Sequence, residues 1–180
     1  MNFPKAILDT SALRSLYYLE LLPYLNLLYT EIRIPRAVEK EFLVKPSSES
    51  ERTSRFIFLS NFYLENSSWF IPCNEYGSDL VEIYLAKAGM HEGEAEVLAQ
   101  NQFFDNLYEV ILDERIARKF ASSENMSIHG TLYLLAFLDI KFRVCNYFTS
   151  VDLLMSKRRT FLNVAIIRKA YEDVKIKIFG

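Results

Sequence analysis

At least four times along this chain a short apolar run is followed at once by a stretch of helical spacing, and this alternation constrains the fold more than any other feature. Lys5-Ala6-Ile7-Leu8 ends at Asp9, and Thr10-Ser11-Ala12 then opens a helix continued by Leu13, Leu16 and Tyr17. Glu31–Pro35 alternates polar and apolar residues, and Pro35 stands at the start of a helix over 36–44, where its missing N–H costs nothing. Trp69–Cys73 precedes helical runs over 78–88 and 93–104, with Gly89 ending the first of them. Tyr108–Leu112 precedes a helix over 114–121, and Met126–His129 precedes Gly130-Thr131 and an apolar helix to Phe142. Two further helices are predicted around 151–158 and 161–174. Asn-Gly and Asp-Gly turn dipeptides are absent. Strands separated by helices cannot pair as hairpins, so the expected fold class is α/β, three-layered, with a central, mainly parallel sheet of 4–5 strands flanked by helices.

One domain suffices for 180 residues. With 51% hydrophobic residues, the chain can offset its ordering entropy by burial, which excludes disorder as its dominant state. Residues 45–55 (KPSSESERTSR), with four serines, a proline and several charges, are predicted to form a loop. A helix-like run over 56–64 follows. We therefore expect a body over 1–145 with a helical insertion near 45–70, and a helical extension of the same domain over 146–180. Charge divides along that line: residues 1–140 carry 12 basic and 20 acidic side chains, residues 141–180 carry 9 and 3. Such a chain is no bulk polyanion binder, but it can bind cations in one place and phosphate in another. Cys73 and Cys145 lack zinc-ligand spacing and are expected to be reduced and partly buried, in a cytoplasmic protein. The N-terminal apolar run is too short for a signal peptide and is broken by Asp9. The stretch 16–29 contains Glu20, Pro23 and Asn26 and falls short of the ~20 apolar residues of a membrane span.

Phosphate-binding glycine loops (GxxxxGK[ST], GxGxxG), the GxSxG elbow and HExxH are all missing. Carboxylates remain. Asp9 and Asp113 each end a predicted strand, and in an open parallel sheet ligands bind at those strand ends. Each Asp also reads as an ordinary helix N-cap. Glu41 lies on the helix after Pro35, where a solvent-facing position is the plain alternative. Glu94 opens its helix, where it also complements the helix dipole. Glu96 stands roughly 200° around that helix from Glu94, so the two cannot point into one site equally well. Four converging acids repel unless a cation neutralises them, and an oxygen-only set suits Mg²⁺ or Mn²⁺.

These stretches resemble a known family. ILDTSAL at 7–13, IPRAVEKE at 34–41, GEAEVLA at 93–99 and ILDERIARKFA at 111–121 look like the four acidic motifs of PIN-domain ribonucleases. IHGTLYLLAFL at 128–138 looks like a strand–Gly-Thr–helix segment of the branch that is similar to toxin nucleases of toxin–antitoxin pairs. The resemblance covers roughly residues 5–145. It implies a PIN-like fold and a Mg²⁺- or Mn²⁺-dependent endoribonuclease, with Asp9, Glu41, Glu94 and Asp113 as catalytic acids. Asp9, Glu94 and Asp113 would hold the metal, and Ser11 would orient the first carboxylate or a metal-bound water. Glu94 stands where many relatives have Asp. Arg115 and Arg118 would support the site by contacting phosphate, or are ordinary surface charge. Lys157-Arg158-Arg159 reads as an RNA-tracking group or a solvated helix end. The aromatic run 56–70 reads as core, or as a surface for a second copy or a small antitoxin.

The expected partners are an RNA substrate, a small antitoxin protein and a second copy in a homodimer, with no membrane. The rival from another class is an inactive PIN-like RNA- or protein-binding module. Phosphatase chemistry ranks last, because it wants a second Asp two residues after the first and here that position is Ser11.

Overall fold

The computed structural model describes residues 4–44, 48–73, 78–158 and 162–180. Five strands, β1 (Lys5–Leu8), β2 (Glu31–Pro35), β3 (Phe70–Cys73), β4 (Glu109–Ile111) and β5 (Ile128–His129), form one sheet in the order β3-β2-β1-β4-β5. Every pairing is parallel. Ala6, Ile7 and Leu8 are fully buried, as the central strand of a sheet covered on both faces requires. The chain runs outward from β1 through β2 to β3, then returns to the other side of β1 as β4. The direction of winding reverses between β1 and β4, and a crevice opens there beyond the C-terminal strand ends. Register pairs Leu8 with Ile111, which brings the two following segments side by side.

Nine helices are described: α1 (Thr10–Tyr18), α2 (Arg36–Val44), α3 (Glu49–Asn66), α4 (Ser78–Ala88), α5 (Glu92–Phe103), α6 (Arg115–Ser123), α7 (Thr131–Phe137), α8 (Tyr147–Arg158) and α9 (Val164–Phe179). A 3-10 turn, Leu22–Leu27, follows α1 with Pro23 in its first turn, and α7 passes into a π-type turn over Leu138–Phe142. Helix α5 packs on α2 and over β1, β2 and β4, while α9 packs along α7. Glu96, facing away from the crevice, is buried on α5 and accepts a hydrogen bond from Ala37 N (2.7 Å), capping α2. Cys73 is buried, Cys145 half-buried, and neither is in a disulfide. Among the described residues no helix is long and apolar enough to cross a membrane.

The loop predicted over 45–55 is corrected. Residues 45–47 lie outside the described residues, but from Glu49 the chain is already α3. Ser48 caps it by accepting from Glu51 N, and Glu49 and Glu51 sit in its first turn. Ser48-x-x-Glu51 is a helix-start signature that outweighs the stretch's loop-like composition. Arg55 then turns inward and is almost fully buried. It donates to the Phe42 carbonyl (2.9 Å), to Tyr18 and to Glu51, which removes the cost of its unmatched charge. The aromatic run divides: Leu59 and Phe62 are core, whereas Phe56, Ile57 and Leu64 are exposed.

Candidate active site

Asp9 follows β1 and caps α1. Its Oδ1 accepts from Ala12 N at 2.6 Å. Its Oδ2 accepts from the Ser11 hydroxyl (2.9 Å) and lies 3.5 Å from Asp113 N. Asp9 is therefore an N-cap that also lines the crevice: the cap fixes the rotamer of its carboxylate there. Thr10 and Ser11 occupy the first turn of α1.

Asp113 is not an N-cap of the helix that follows it. Glu114 caps α6, accepting from Ile116 N and Ala117 N. This frees the Asp113 carboxylate to reach across to the neighbouring strand end. Its Oδ1 accepts from Thr131 N (2.8 Å) and its Oδ2 from the Thr131 hydroxyl (2.7 Å), so it seats on the N-terminus of α7, where a negative charge is favoured. Gly130 permits that approach: a Cβ there would stand 3.1 Å from Asp113 Oδ1 and 3.0 Å from an Arg118 nitrogen.

The Ser11 hydroxyl stands 2.9 Å from Asp9 and 3.2 Å from Asp113. It carries one proton for two carboxylates, so it can donate to only one of them at a time. Burial, with Asp113 beside it, pushes the Asp9 pKa up to about 7, against the hydrogen bonds from Ala12, Ser11 and Asp113 N that favour its ionised form.

The two glutamates enter from the facing helices. Glu41 on α2 is half-buried and accepts from the Thr10 hydroxyl at 3.0 Å. Gly93 makes room for this pair: a Cβ there would stand 3.2 Å from Thr10 Oγ1 and 3.4 Å from Glu41 Oε1. Glu94 accepts from His91 N (3.1 Å), so it is the first-turn cap of α5 as well as a lining acid. Burial raises its pKa, the His91 N–H opposes this, and Glu114 and Glu41 add to the rise.

Asp9, Glu41, Glu94 and Asp113, from four separate elements, thus line one cleft of about 310 Å³. Sequence reasoning missed Glu114, which lines it too, and Thr10, Thr131 and Gly93, which position its acids. The Glu41–Thr10 and Asp113–Thr131 pairings join residues far apart in the chain, and no local pattern announces them. Arg118 donates to the Leu112 carbonyl (2.8 Å), so part of its guanidinium buttresses the strand end. Arg115 is exposed at the start of α6. The Lys157-Arg158-Arg159 group is only partly in view: Lys157 Nζ sits 5.4 Å from the Tyr18 ring centre, Arg158 is described by its backbone, and Arg159 lies outside the described residues.

As donors for a metal these residues are all carboxylates, one of them buried and close enough to a second to raise its pKa. That chemistry fits a hard divalent cation, which would relieve the same repulsion. The spacing is open: among the described residues no three His, Cys, Asp or Glu side chains are gathered closely enough to hold an ion.

Fold and cleft together define a doubly wound α/β protein with carboxylates at its switch point. The chain belongs to the PIN-domain family: a family model described as a PIN domain matches residues 5–175. The matched stretch includes α3 and most of α9. PIN domains are nuclease-type proteins that typically use divalent metal ions. No curated protein matches the chain.

Proposed function

We propose that this protein is a metal-dependent endoribonuclease that hydrolyses RNA phosphodiester bonds. The observation that carries the reading is the Asp9–Ser11–Asp113 arrangement, two carboxylates sharing one hydroxyl at the switch point of a PIN fold. Asp9, Asp113 and Glu94 would hold Mg²⁺ or Mn²⁺, and Glu41 would help hold the ion or orient the attacking water. A bound divalent ion supplies Lewis acidity at the phosphate and makes a coordinated water a stronger nucleophile at neutral pH. Ser11 orients the two carboxylates, Thr131 fixes Asp113 against α7, and Thr10 fixes Glu41.

The test is cleavage of end-labelled single-stranded RNA with Mg²⁺ or Mn²⁺. EDTA, Asp9→Asn and Asp113→Asn should each stop it while circular dichroism shows the fold intact. Cleavage at the wild-type rate by both variants overturns the reading.

The open spacing of the acids favours a second reading, a PIN-like module that binds RNA or protein without turnover. RNA retained with no cleavage under any divalent ion supports it. Within the first reading, we place the protein in the cytoplasm as the toxin of a toxin–antitoxin pair, functioning as a homodimer. Growth arrest on expression, relieved by a small co-expressed antitoxin, tests the toxin role. A mass measured in solution tests the dimer.

A further inference from the structure

A second, larger cavity of about 760 Å³ meets the acidic cleft at Asp113, which lines both. Its walls differ in kind. Leu132 on α7, Leu154 on α8, and Ile166 and Ala170 on α9 give it an apolar lining. On one side the rings of His129 and Tyr133 lie stacked, 3.7 Å between centres and 8° from parallel. Glu109 holds the His129 ring from the neighbouring strand, with its Oε2 at 3.8 Å from Nε2, and in turn accepts from Tyr29 (3.1 Å). Lys177 donates to the Tyr133 hydroxyl at 2.9 Å.

Arg115, Arg118 and Lys177 bring positive charge to this cavity. Of its two acids, Asp173 is paired with Lys169 at 2.7 Å and Asp113 belongs to the cleft. The cavity therefore combines apolar and aromatic walls with two arginines, Arg115 and Arg118, on the helix that follows Asp113.

We propose that this cavity receives the base of one nucleotide of single-stranded RNA, adjacent to the phosphodiester bound at the acids, and so selects where the strand is cut. The inference rests on the ribonuclease reading of the cleft and adds a specificity site to it. Its volume falls in the range of pockets that enclose small-molecule ligands. The aromatic pair and aliphatic walls suit a base's faces and edges. Arg115 and Arg118 suit the flanking phosphate. A base in a duplex is stacked and paired, so only an unpaired nucleotide can enter. An extended peptide would need main-chain partners that an apolar wall does not offer.

The four ribonucleoside 5′-monophosphates are the probes, titrated in EDTA so that binding is read without cleavage. Ala170→Trp fills the cavity, and Ala170→Phe is the milder version in case the larger ring prevents folding. The wild type should bind at least one monophosphate in preference to the others, with NMR shifts on the His129 and Tyr133 rings. Either variant should weaken that binding at least ten-fold. On random-sequence single-stranded RNA with Mn²⁺, the variants should cut with a flattened nucleotide preference.

Absence of monophosphate binding overturns the proposal, as do shifts confined to residues around Asp9 and Glu94, or a preference unchanged by both fillings. If the monophosphate binds and the fillings weaken it, yet no RNA is ever cut, the base site stands and the ribonuclease reading falls. If RNA is cut with a preference neither filling alters, the reverse holds.

Discussion

The acidic cleft and the cavity beside it share one residue, Asp113, and little else. The cleft is small and polar, and it is assembled from side chains that double as caps: Asp9 on α1, Glu94 on α5, Asp113 across to α7. The cavity is larger and mostly apolar, and it is made by α8 and α9 closing over α7 and β5. The first stores electrostatic cost, visible in the raised pKa of Asp9. The second costs ordinary apolar surface. In the proposed reading, chemistry that needs concentrated charge is held by short hydrogen bonds to backbone, which fix geometry. Selection of a base, in the same reading, is left to shape.

The largest effect we expect separates the two regions outright. Asp9→Asn or Asp113→Asn should lower metal-dependent cleavage on the order of 10³-fold or more, since each removes a proposed ligand worth several kcal/mol in the transition state. Filling the cavity at Ala170 should flatten the choice of cut site rather than abolish cleavage, and single-turnover kinetics on one labelled RNA would show the contrast.

Ser11→Ala comes next. It removes the hydroxyl between Asp9 and Asp113, and a change in the groups that orient metal ligands costs roughly 10–100-fold. A higher Mn²⁺ concentration for half-maximal activity, with little change in melting temperature, would identify a positioning role. Asp113, the residue common to both regions, is tested through Gly130→Ala. The added Cβ would push on Asp113 and Arg118 together, so activity should fall and base preference should blur in the same variant.

The smallest effect is on stability. The pKa of Asp9 is raised from 3.8 to about 7, so its protonated form favours the fold. That contribution is complete below about pH 4 and is lost as the pH rises through 7. Metal-free Asp9→Asn should therefore melt a few degrees above wild type at pH 8, about 2–4 °C per kcal/mol for a chain of this size, and no higher at pH 4. Adding Mn²⁺ at pH 8 should raise the wild-type melting temperature and leave that of the variant unmoved. A variant less stable than wild type at pH 8 would show that the cap hydrogen bond of Asp9 outweighs its repulsion with Asp113.

Much of this was legible locally. The apolar run before Asp9, the alternating strand at 31–35 and the helix start after Pro35 all appear where periodicity predicts them, because hydrophobic spacing and helix starts act over a few residues. The Ser-rich start of α3 misled a reading by composition, though Ser48 and Glu51 carried the signal. Asp113 misled in another way. Glu114 displaces it from the cap of α6, and its true partner, Thr131, lies 18 residues on.

By itself, the sequence determined the strand–helix rhythm, the acids at two strand ends and the polarity of each segment, since these follow from short-range propensity and burial. Tertiary structure alone decided that β4 lies beside β1, which sets Asp113 next to an Asp9 that is 104 residues away. It alone decided too that the C-terminal helices enclose a cavity at that point. Which strands become neighbours depends on how whole layers pack, and that balance is summed over the molecule and written in no single segment.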